Sequence, residues 1–239
     1  METQGYFGKT PFARDFLYQG LPMRVTDAWA EPMARWLAIA RQKAGAEWQR
    51  SYLGSPVWCF ALARGMISAE AWVGLFASSI DSVGREFPMA AFMTVADPLP
   101  AGRPTAWLNG LLDPLEAQML AFMEGQIQAA EFARALEAAA KALRTNAGTA
   151  SGAALPLPAG ADALCLVENE AGEAALAWPG SAGDVEACLW WHEATRARPA
   201  ELCLSRGMPA AGAGPLFFLG DWASHGWQPA TNPVVLPHA

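Results

Sequence analysis

Three apolar runs, at residues 57–62, 72–76 and 87–95, constrain this chain more than any other feature of it. Each has the length of a β-strand, and short Gly- or Ser-containing loops separate them. None shows the polar–apolar alternation of a strand with one wet face. Such runs predict an antiparallel meander buried on both faces, which demands covering layers above and below the sheet. A chain of 239 residues, 53% of them apolar, has the material for those layers as one large domain. That apolar content excludes a disordered chain. A net charge of −7 excludes a protein that works by neutralising nucleic-acid phosphates. The excess acid lies entirely after residue 99 and is spread thinly, as a solubilising surface would be.

The covering layers are legible as helices. Met33, Trp36, Leu37 and Ala40 recur at helical spacing, with Pro32 expected in the first turn and Glu31 before it. Two short extended pieces, 5–9 and 15–18, precede that helix around a turn at Pro11. After the meander, Asp113 reads as an N-cap, Pro114 as the first helical residue and Glu116 as the capping-box partner. That helix is expected to run to about Arg144 with a break near Gly125. Residues 145–162, rich in Gly, Ala and Pro, read as a flexible loop. Strand candidates follow at 163–167, 174–178, 189–192, 202–205 and 216–219. The expected organisation is therefore a core over residues 1–144, the loop, and a strand-rich extension over 163–239 packed on the same domain. The order is not that of alternating βαβ units. It predicts an α/β protein of the α+β kind, with a central, largely antiparallel sheet flanked by helices.

Functional chemistry is sparse. Gly212-Ala213-Gly214 lacks the rest of a dinucleotide fingerprint, and no phosphate-binding loop or nucleophile elbow is present. Four cysteines (Cys59, Cys165, Cys188, Cys203) show no C-x-x-C spacing and sit in apolar surroundings, as buried thiols do. A nucleophile pair of Cys59 with His192 is weakened by the Trp58 and Phe60 that flank the thiol, since desolvation disfavours a thiolate. No metal or cofactor is expected. Without an N-terminal signal pattern or a run of 18 apolar residues, the protein is expected to be cytoplasmic, with no membrane insertion. Eleven tryptophans are explained either by a core of bulky rings or by an aromatic recognition surface. Their apolar neighbours favour the core.

Two polar clusters interrupt the apolar sequence: residues 5–16, with Lys9 and Asp15, and residues 78–88, with Ser79, Asp81 and Arg85. Ser79 and Asp81 can accept from local N–H groups, Gly84 permits a left-handed turn, and Arg85 can fork onto Asp81 or Asp15. One reading is a braced loop. The other is a rigid platform on which Lys9, Asp15, Ser79, Asp81 and Arg85 hold a partner macromolecule. Without a nucleophile among them, the set suits docking better than catalysis.

In these clusters and between them the chain resembles the TagF/ImpM family of type VI secretion-associated proteins. The resemblance rests on Gly5-Tyr6-Phe7-Gly8-Lys9 with Pro11, Asp15-Phe16, Leu21-Pro22, Trp36-Leu37 and Pro56-Val57-Trp58-Cys59-Phe60. It continues in Ser79, Asp81, Val83-Gly84-Arg85 and Phe87-Pro88, with a weaker echo at Trp190-Trp191. It is dense over residues 5–93 and thin after 100. Arg14, Ser78 and Ala34 depart from the family's usual Gly, Pro and acidic residue. The resemblance implies a longin- or SNARE-like ββαβββαα core. It also implies a non-enzymatic, post-translational repressor of type VI secretion that sequesters a forkhead-associated scaffold protein and is linked to a Ser/Thr kinase–phosphatase pair. Other readings are a structural component of the secretion apparatus and a hydrolase using a Cys or acidic residue.

Overall fold

The computed structural model of the protein describes residues 2–95, 105–145, 163–167, 187–212, 214–220 and 228–229. Among them, nine strands form one sheet: β1 (Gln4–Gly8), β2 (Leu17–Gln19), β3 (Trp58–Leu62), β4 (Ala71–Ala77), β5 (Met89–Val95), β6 (Ala163–Val167), β7 (Ala187–His192), β8 (Glu201–Arg206) and β9 (Gln228–Pro229). Their spatial order is β2-β1-β5-β4-β3-β7-β8-β6-β9. Every pairing is antiparallel except the short β6–β9 contact. Among the described residues, five α-helices accompany the sheet: α1 (Met23–Ala44), α2 (Trp48–Leu53), α3 (Thr105–Met123), α4 (Ala129–Thr145) and α5 (Leu216–Leu219). The mixed α/β architecture and the meander β3-β4-β5 are as the sequence predicts.

Alternate residues of the central strands enter two separate cores, which is why their sequence runs apolar without a break. Ala61, Val73, Leu75, Ala91, Met93 and Trp191 face α3 and α4, against Leu112, Met119, Phe122, Phe132 and Leu136. Trp58, Phe60, Trp72, Phe76, Phe92 and Trp190 face α1, α2 and α5. Aromatic rings form the centre of the second core, with aliphatic residues such as Val25, Met33, Leu37 and Leu216 around them. Trp29 packs on Phe60, Phe92 and Trp190, and Trp36 stacks on Phe217 at 5.1 Å.

Seven of the tryptophans, Trp29, Trp36, Trp48, Trp58, Trp72, Trp190 and Trp191, are buried. A buried indole needs an acceptor for its N–H. Trp36 donates to Pro209 O, Trp58 to Phe217 O, Trp72 to Ser68 Oγ, Trp190 to Ser205 Oγ, Trp191 to Asn109 Oδ1 and Trp48 to Glu86 Oε2. Trp29 Nε1 has no hydrogen-bond partner among the described residues, and its ring packs nearly perpendicular to Phe92. Two of these acceptors, Pro209 O and Phe217 O, belong to the C-terminal part of the chain, so the indoles of Trp36 and Trp58 tie that part to α1 and β3. Gly214 serves the same junction, because a Cβ there would lie 1.9 Å from the Trp36 indole.

Three expectations are corrected. The first helix begins at Met23, so Pro32 lies well inside α1, where it removes one backbone hydrogen bond. Its start was hidden because the N-cap, Pro22, has no capping side chain and the first turn carries no acid. The helix after the meander begins at Thr105, not at Asp113, and Pro114 is interior to α3. The break near Gly125 is real; its φ of +74° ends the α3 turn and leads to α4. Residues 216–219 form the single-turn helix α5 rather than a strand, with Pro215 before it and Gly220 at φ +71° after it. The loop expected at 145–162 falls, beyond Thr145, outside the described residues, as does the strand expected at 174–178.

Candidate functional site

The two polar clusters meet at one end of the sheet. The C-terminal ends of β1 and β4 and the start of β5 lie together there because the three strands are antiparallel neighbours. Lys9 leaves β1 and its Nζ lies 2.9 Å from Asp81 Oδ2. Arg85 Nε donates to the same oxygen at 2.6 Å, and its guanidinium also donates to the Arg14 carbonyl. The other carboxylate oxygen, Asp81 Oδ1, accepts from the backbone N–H groups of Val83 and Arg85 at 3.1 and 2.8 Å. Gly84 turns the loop at φ +85°, a conformation that disfavours side chains. Ser79 Oγ donates to Lys9 O at 2.7 Å, and the Tyr52 hydroxyl donates to Ser79 O at 2.8 Å. The Ser82 N–H donates to Ala13 O and closes the two loops on each other.

Of the five residues singled out in the sequence, Lys9, Ser79, Asp81 and Arg85 come together and Asp15 does not. Asp15 is exposed, its carboxylate accepts from the Phe16 N–H, and Arg85 takes Asp81 rather than Asp15. Lys9 and Asp81 are only 6% and 1% exposed, and Ser79 is buried with them. These three therefore hold the loops and cannot themselves be touched by a macromolecule, whereas the Arg85 side chain remains 57% exposed. What the brace presents outward was not foreseen. Phe12, Phe16, Tyr18 and Val83 are exposed, four of only six such large apolar side chains among the described residues. They lie on these loops and on β2, which the first loop leads into.

Burial alone would raise the Asp81 carboxyl, but the donors from Arg85, Lys9 and Val83 outweigh it and hold the group well below the ordinary Asp value of 3.8. The folded-state value is the lower one. Its contribution to stability is therefore complete above 3.8 and is lost as acid protonates the group below that. Acid titration followed by circular dichroism is expected to show wild type losing stability across that range. Asp81→Asn is expected to start less stable at neutral pH and to lack that part of the titration. An identical acid profile for the two proteins would contradict the assignment.

The thiol alternative fails on geometry. Cys59 belongs to the face under α3 and α4, whereas His192 packs edge-on to Trp58 at 4.5 Å on the opposite face of the sheet. Burial pushes the Cys59 thiol up, and the carboxylates of Glu116, Asp113 and Glu193 push it further. His192 belongs to a second buried polar group that sequence reasoning missed. Its Nε2 lies 3.1 Å from Glu201 Oε2, its directly opposed neighbour across β7 and β8. Arg198 also pairs with Glu201 and donates to Phe217 O at 3.1 Å, so the group anchors α5. Only the β7–β8 register brings Glu201 to His192, and no motif signals that register. Among the described residues, no group of three or more His, Cys, Asp or Glu side chains is placed to hold a metal ion, and no helix is long and apolar enough to cross a membrane.

Residues 5–139 match the model of the TagF N-terminal domain, described as type VI secretion system-associated. The fold is similar to the crystal structure of PA0076 from Pseudomonas aeruginosa PAO1, with a TM-score of 0.61 and 24% identity over 99% of each chain. No curated protein matches. The family match spans more than half of the 239 residues and covers both loops of the brace, the meander, α1, α2, α3 and most of α4. The chain belongs to the TagF family of type VI secretion-associated proteins.

Proposed function

We propose that the protein is a non-enzymatic regulator that represses type VI secretion in the cytoplasm by binding and sequestering a forkhead-associated scaffold protein, in concert with a Ser/Thr kinase–phosphatase pair. The observation that carries this reading is the Lys9–Asp81–Arg85 brace in a member of this family. A buried ion pair is a poor device for stability, because desolvating two charges offsets most of their attraction. It is a good device for fixing the shape of the loops it joins, and fixed loops lower the entropy lost on docking. Catalysis would need a nucleophile and base facing one another, and Cys59 and His192 face apart.

The test is direct. The purified full chain and the forkhead-associated scaffold, mixed at micromolar concentration, should co-elute on size-exclusion chromatography. Overproducing the chain in a secreting strain should lower secretion without altering the level of the scaffold. Failure to co-elute under native conditions would remove the sequestration reading. Sedimentation of the chain with the assembled apparatus in place of a free complex would favour a structural subunit.

A further inference from the structure

The residues that the brace holds outward have a composition of their own. Phe12 is 53% exposed, Tyr18 67% and Val83 57%, and Phe16 is exposed while stacked at 5.1 Å on Phe7. Two guanidinium groups stand among them. Arg85 is fixed by Asp81 and by the Arg14 carbonyl, and Arg14 itself is exposed and makes no ion pair among the described residues. Lys9 lies beneath, 5.0 Å from the Phe16 ring and neutralised by Asp81. Asp15, exposed between Arg14 and Phe16, is the one outward carboxylate; three cations (Lys9, Arg14, Arg85) against two carboxylates (Asp15, Asp81) leave an aromatic patch of net charge +1 on a chain of net charge −7. An exposed apolar cluster rimmed by charge marks an interaction surface. Aromatic and Arg side chains are the types that carry binding energy when such a surface is covered.

We propose that this surface, formed by Phe12, Arg14, Phe16, Tyr18, Val83 and Arg85, is the docking site for an acidic, apolar-flanked segment of a protein partner. A carboxylate would lie against Arg85 and Arg14, and apolar side chains would cover the exposed rings. Charge complementarity selects the occupant. The guanidinium of Arg85 is already oriented before binding, so a planar carboxylate meets a prepared fork rather than a flexible cation. A second copy of this chain is a poorer occupant of a cationic patch, because its acidic excess is spread thinly. The inference rests on the sequestration reading above and names the surface and the chemistry that reading leaves open.

The test measures binding of the full chain to the forkhead-associated scaffold by surface plasmon resonance at 50 and 300 mM NaCl. It compares wild type with Arg14→Glu, Val83→Glu and, as a control on α4, Glu137→Lys. Arg14 and Val83 point into solvent, so thermal melting should stay unchanged in all the variants. The expected result is that Arg14→Glu and Val83→Glu each weaken binding by about tenfold or more. Arg14→Glu should also flatten the salt dependence, and Glu137→Lys should bind as wild type does. Unchanged affinity and salt dependence in both patch variants, with wild type binding normally, would overturn this surface while leaving sequestration intact. No binding by wild type would overturn sequestration and this inference with it.

Discussion

Trp58→Ala is expected to lower the free energy of unfolding by about 3–5 kcal/mol, the usual cost of removing a large ring from a closed core. Trp58 is fully buried, packs edge-on to Phe217 at 4.9 Å and to His192 at 4.5 Å, and lies under the Arg198 guanidinium. Its N–H donates to Phe217 O at 2.9 Å, the same carbonyl that Arg198 reaches. Removing the ring takes one donor from that carbonyl and opens a hole between β3 and α5. Trp58→Phe keeps most of the volume and loses the hydrogen bond, and should cost less. Urea denaturation of the three proteins separates the two contributions. A melting temperature unmoved by Trp58→Ala, with partner binding lost, would make Trp58 a surface residue and contradict the burial described above.

A chain ending at residue 144 should fail to fold cooperatively, although it contains the whole stretch that matches the family model. The cut removes β7 from the edge of β3 and takes Trp190, Phe217 and Phe218 out of the aromatic core. Truncating one such ring costs about 3–5 kcal/mol, and a whole domain has only about 5–15 kcal/mol to lose. Trp29, Trp36, Trp58 and Phe60, covered by those rings in the intact chain, would face water or collapse non-specifically. The expected observations are strong binding of a hydrophobic dye, weak near-ultraviolet circular dichroism and a broad thermal transition. A sharp transition with native near-ultraviolet signal would show that residues 5–139 are self-sufficient.

The central strands were legible because burial on both faces makes each a continuous apolar run of strand length between Gly- or Ser-containing loops. Residues 57–62 and 87–95 bracket β3 and β5 to within one or two positions. The start of α1 was not legible, since Pro22 signals nothing and the proline that looked like a helix start, Pro32, lies ten residues in. Pro114 misled in the same way. The residues 216–219 are apolar throughout and too few to show a period, so strand and helix were equivalent on sequence alone. At the site, Asp81 and Arg85 were legible because an Asp two residues before one N–H and four before another forms a local turn. Asp15 was not separable from them, because whether a loop carboxylate turns inward depends on where the chain crosses the sheet end. The exposure of Phe12, Tyr18 and Val83 was equally invisible, since an apolar residue in a loop reads the same whether covered or bare.

The partners of the aromatic core are made at very different times. Roughly 50 residues separate the end of the family-matched stretch from Trp190, and a ribosome adding about 5–20 residues per second needs about 3–10 s to cross them. For that interval the emerging chain holds β3 with an open edge and several indoles without their cover, long after local helices have formed. Correct maturation is then a contest between the arrival of β7 and any other strand, nascent or foreign, that can pair with Trp58–Leu62 first.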